Sequence, residues 1–88
     1  MITTEQCLAQ LTALVDEAAD DAPSQAKGYL DVFAPLVRPD PIKSTRLLAE
    51  LKGRFSRSVA PSLLRDDIIH LIDARSAYLA SMDDDPAD

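Results

Sequence analysis

Residues 37–57 read VRPDPIKSTRLLAELKGRFSR, and this stretch decides the fold. Pro39 and Pro41 each push the residue before them out of helical geometry, so the chain must turn a corner here. Asp40 followed by Pro41 is the pattern of an N-cap with proline at the first helical position. From that start Leu47, Leu48, Leu51 and Phe55 recur at steps of mainly three and four, which predicts an amphipathic helix over 41–57. Gly53 lies inside it at a cost of about 1 kcal/mol relative to alanine, so its C-terminal part is expected to fray first. Lys43, Arg46, Glu50, Arg54 and Arg57 follow the same spacing on the other side, giving the helix a basic face.

Working outward, the same period appears on both sides of the corner. Thr3 and Gln6 are spaced as a capping box, and Ile2 and Cys7 as a hydrophobic staple, at the start of a helix over 4–20. Leu8, Leu11, Leu14, Val15 and Ala18 form its stripe. After the Asp20 to Pro23 break, Ala26, Tyr29, Leu30, Phe33, Leu36 and Val37 predict a second helix over 24–37. Gly28 weakens this helix, and Pro35 implies a kink or an early end near Phe33. A strand through Tyr29 to Phe33 would have no partner. Pro61 marks the last turn, and Leu64, Ile68, Leu71, Ile72, Tyr78, Leu79 and Met82 predict a long helix over 61–82. Residues 83–88, DDDPAD, have nothing to bury and read as a disordered acidic end.

The expected architecture is all-α: a small four-helix bundle with one domain over residues 1–82. Short connections favour antiparallel neighbours, although the Pro39 and Pro41 corner offers a route across the bundle for the third helix. With two Phe, two Tyr and no Trp in 88 residues, the core must be mainly aliphatic. We expect Leu8, Leu11, Val15, Leu30, Phe33, Leu48, Leu51, Phe55, Leu64, Ile68, Leu71, Ile72 and Leu79 in it. One cysteine and one histidine allow neither an internal disulfide nor a Cys/His zinc site. No segment approaches the ~20 apolar residues of a membrane span, and the N-terminus has no signal-peptide pattern, so the expectation is a cytoplasmic protein without membrane contact.

Charge is distributed in blocks. Residues 1–37 carry a balance of −5, residues 38–65 one of +5 and residues 66–88 one of −6. Ion pairs between solvated groups contribute only about 0 to 1 kcal/mol each, which does not account for such segregation. The reading this supports is a protein-protein interaction module, of adaptor, inhibitor or immunity type, in which Lys43, Arg46, Arg54 and Arg57 meet an acidic partner. A bipolar domain can also stack on its own copies. The competing reading sends the basic face to nucleic-acid phosphates. A net charge of −6 and a pI near 4.5 weigh against it, as does the lack of aromatic residues among the bases.

Chemistry finds little support. Asp66, His70 and Asp73 share a helical face, but two acids and one imidazole make an incomplete metal site with no nucleophile or oxyanion donor beside it. Acyl carrier proteins match in size and acidity, yet their modified serine directly follows an aspartate, and no Asp-Ser pair exists here. No enzyme activity, metal, cofactor or small-molecule substrate is expected.

Overall fold

A computed structural model describes residues 2–18 and 20–83. It contains four helices: α1 (Thr4–Glu17), α2 (Ala22–Phe33), α3 (Pro41–Ser58) and α4 (Leu63–Asp83). The fold is the expected all-α bundle. The acidic end expected to be disordered lies, apart from Asp83, outside the described residues.

Local chemistry sets each boundary. The capping box forms: the Gln6 N–H donates to Thr3 Oγ1 at 3.1 Å, and the Thr3 N–H donates to Gln6 Oε1 at 2.9 Å. Thr3→Ala should therefore cost about 1 kcal/mol in a denaturant titration. Helix α1 stops at Glu17, short of residue 20, because Ala18 takes a left-handed conformation at φ 49° and its N–H turns back to the Val15 carbonyl. Helix α2 spans 22–33 instead of 24–37. It begins early because Pro23 fits the first turn, where its missing N–H is no loss. It ends at Phe33 because Pro35 follows.

Helix α3 starts as expected at Pro41, with Asp40 Oδ1 accepting from the Lys43 N–H at 3.2 Å. It runs through Gly53 to Ser58. An added Cβ at Gly53 would meet nothing within 4 Å, so Gly53→Ala should raise stability by about 1 kcal/mol, read as a higher melting temperature. Helix α4 begins at Leu63 and not at Pro61, because Ser62 Oγ is the cap, accepting from the Arg65 N–H at 3.1 Å. Arg65 also donates to the carbonyls of Ser56 and Val59 at 3.2 and 3.3 Å, closing the α3 C-terminus.

Helices α3 and α4 form an antiparallel hairpin, since Arg65 lies beside Ser56 and the Lys52 to Asp73 ion pair, at 2.8 Å, joins them farther along. Helix α1 packs on α2 and α3, and α4 packs on α3 and α2, with a lesser contact to α1. The consecutive helices α2 and α3 are not neighbours. Residues 34–40 therefore carry the chain across the bundle, which is the alternative the Pro39 and Pro41 corner offered and not the simple antiparallel succession. Arg38 turns it with φ at 50°, a left-handed conformation that non-glycine residues seldom adopt.

The core holds Cys7, Leu11, Leu14, Leu30, Phe33, Leu48, Leu51, Phe55, Ile68, Ile72 and Leu79, with Ala22, Ala26, Ala34 and Val59 between them. Leu8, Val15, Leu64 and Leu71, expected inside, are only partly buried and pack on its edge. Burial pushes the Cys7 thiol up to about 11. The unfolded thiol ionises near 9 while the folded one stays protonated, so stability should fall as pH rises from about 9 through 11. The check is melting temperature against pH in wild type and Cys7→Ala, with the steeper alkaline fall expected in wild type.

Candidate partner-binding surface

The middle of the chain supplies seven bases, and the fold divides them into two sets. Lys52 pairs with Asp73 across the α3/α4 hairpin. Arg54 pairs with Glu50 at 3.2 Å and approaches Glu5 of α1 at 4.0 Å. Arg65 is occupied by the α3 carbonyls and lies 3.7 Å from Asp66. The other four, Arg38, Lys43, Arg46 and Arg57, are exposed, and among the described residues none has a carboxylate within 4.0 Å.

The four bases singled out from the sequence share one side of α3 but differ in their surroundings. Lys43 and Arg46 stand together, lining an open cleft with Asp40, Ile42 and Leu47. Arg54 lies in its ion pairs. Arg57 is eleven residues beyond Arg46, or about 16 Å along the helix axis. In exchange the crossing segment brings in Arg38, which the sequence offered only as one base in a block. Arg38 and Lys43 line a second cleft, about 220 Å³, with Phe33, Pro35, Pro39, Ser44 and Leu47. That volume is below the range of small-molecule sites, whereas the first cleft, about 500 Å³, falls within it.

Apolar groups border these bases: Ile42, 52% exposed, lines the cleft of Lys43 and Arg46, and Val37, 81% exposed, precedes Arg38, whereas Tyr78, 53% exposed, lies in a separate cleft. Val37 and Leu36 were expected on the α2 stripe and Tyr78 on the buried face of α4. The first two leave the helix because Pro35 ends it, and Tyr78 instead lines a cleft with Lys27, Leu30, Leu36, Leu71, Ala74 and Arg75. The proline was the signal for Leu36 and Val37, but nothing in the helical period separated Tyr78 from its buried neighbour Leu79.

The corner that presents these groups is anchored from below. Arg75 of α4 is 8% exposed. It donates to the Ala34 carbonyl at 2.8 Å and pairs with Asp31. The end of α2 and the start of the crossing segment are thereby tied to α4.

The acidic candidates come apart. His70 is exposed, Asp73 is committed to Lys52 and Asp66 faces Arg65. Among the described residues no group of three His, Cys, Asp or Glu could hold a metal ion, and no helix is long and apolar enough to cross a membrane. No family model, curated protein or solved structure matches this chain.

Proposed function

We propose that this protein is a stoichiometric protein-binding module, without chemistry of its own, that receives an acidic partner surface on Arg38, Lys43 and Arg46. One observation carries the reading: three exposed bases with no carboxylate within 4.0 Å among the described residues gather at a corner that also exposes Leu36, Val37 and Ile42. Interfaces of defined affinity combine apolar anchors with a charged rim in this way. Among the described residues Asp40 is the one acid lining these clefts, and its carboxylate caps α3. At physiological salt the field of a charge farther than about 8 Å away is screened, so recognition rests on the charges close to this corner.

The test uses fluorescence anisotropy with two labelled probes, an acidic amphipathic helical peptide and a DNA duplex. The peptide should bind in a salt-dependent manner. The double substitution Lys43→Glu with Arg46→Glu should weaken it about tenfold or more, while Arg57→Glu should change it less than about threefold. Duplex binding tighter than peptide binding would favour nucleic acid instead, and an effect of Arg57→Glu equal to that of the double substitution would remove the corner as the site. His70→Gln should leave binding unchanged.

A further inference from the structure

Lys43 stands at the centre of the basic corner, because it lines both clefts there, with Arg46 in one and Arg38 in the other. Asp40 and Leu47 are also common to the two. Among the described residues, three bases and one acid leave these clefts with a balance of +2, and the Asp40 carboxylate already accepts the Lys43 N–H. The cations differ in kind as well as in number. Two are guanidiniums, flat forks of N–H donors that match two oxygens of one anion, whereas the Lys43 ammonium acts as a point charge. A lone carboxylate, with one charge and two oxygens, satisfies one fork and leaves the remaining charge uncompensated. A phosphate monoester carries about −1.5 to −2 charges at pH 7 and three acceptor oxygens, so it matches both the balance and the donors. Ile42 and Leu47 give the larger cleft, about 500 Å³, an apolar side. Arg38 is carried on a restrained segment, since Pro39 follows it and Arg75 holds the Ala34 carbonyl at 2.8 Å, which lowers the ordering cost of binding.

We propose that the partner recognised here is a phosphorylated protein segment, whose phosphoserine or phosphothreonine sits on Lys43 between Arg38 and Arg46. A neighbouring apolar side chain of that segment packs against Ile42 and Leu47. Clusters of arginine are the recurring means of reading a phosphate within a peptide. The inference rests on the function proposed above and narrows it from an acidic partner to a phosphorylated one. A DNA duplex or an anionic membrane presents many single charges over a wide area and draws on a broad basic surface. Here Lys52, Arg54 and Arg65 are spent on partners within the fold, and the chain as a whole carries −6. One dianion held in a cleft agrees better with that distribution.

The test is fluorescence anisotropy with three labelled peptides of one acidic amphipathic sequence that differ at a single position, holding serine, glutamate or phosphoserine. At physiological ionic strength the phosphoserine peptide should bind the full chain about tenfold more tightly than the glutamate peptide. The double substitution Arg38→Lys with Arg46→Lys keeps the charge and removes the forks, so this preference should fall to about threefold or less. Arg57→Lys should leave the preference at about tenfold, and far-UV circular dichroism should show equal helicity in all three proteins. Equal binding of the phosphoserine and glutamate peptides would overturn the phosphate preference and leave the proposed function standing. Absence of binding by all three peptides would refute both. A tenfold preference that survives the double substitution would overturn the assignment to Arg38 and Arg46. Tighter binding to vesicles containing anionic phospholipid than to the phosphoserine peptide would give the corner to a membrane surface and overturn the proposal.

Discussion

Phe55→Ala is expected to lower the free energy of unfolding by about 3–5 kcal/mol, the largest effect of any single truncation in this chain. Phe55 is fully buried, and it lies on the helix shared by the α1/α3 and α3/α4 contacts. Removing the ring takes away its transfer free energy and leaves a cavity that three helices cannot close without moving. A domain of this length holds roughly 4–13 kcal/mol in all, so the variant should be partly unfolded near body temperature. Thermal melting should show a fall of about 15–30 °C, with Phe55→Leu losing only a fraction of that. Equal losses for the two would mean that ring shape, and not volume, matters at this site.

Arg75→Met should cost about 2 kcal/mol, and its consequences should concentrate at the crossing segment. Methionine keeps most of the apolar stem but cannot donate, so the Ala34 carbonyl loses its partner in a buried setting, at about 1–3 kcal/mol. Asp31→Ala should cost a comparable amount by the opposite route: it leaves a buried guanidinium without its counter-ion. The Asp31 side chain is 55% exposed, and water access keeps this below the 3–5 kcal/mol of a wholly buried pair. Because Arg75 ties Ala34 and Asp31 to α4, Arg75→Met should also loosen the corner that carries Arg38. Hydrogen exchange should show faster exchange over residues 34–40, and acidic-peptide affinity should drop although Arg75 lies beneath the proposed contact. Lost stability with unchanged exchange over 34–40 would show that Arg75 serves packing alone.

Most of the secondary structure was legible because its signals are local. A capping box at Thr3, the Asp40-Pro41 start and the proline after Phe33 act within a few residues, and apolar periods of three and four reveal a buried face without knowledge of what covers it. Errors in extent arose from equally local events that have no side-chain signature, such as the left-handed turn at Ala18. The partial burial of Leu8, Val15, Leu64 and Leu71 has another origin. They sit at the margins of stripes, and how wide a stripe must be depends on how many neighbours a helix has.

The candidate surface was half legible. The charge blocks pointed to α3, and Lys43 with Arg46 stand together at the corner. Which bases are neutralised depends in part on partners distant in sequence, as with Lys52 and Asp73, and in part on local ones, as with Arg54 and Glu50. The buried role of Arg75 depends on a carbonyl 41 residues away.

Chain composition and periodicity were thus sufficient for four helices, their order and a basic middle segment, because helix formation and capping are short-range. The order of helices around the bundle, the pairing of Lys52 with Asp73 and the exposure of Tyr78 followed from packing. In these cases the controlling contact joins residues far apart in the chain, and burial is a property of the whole assembly of helices and not of any one stripe.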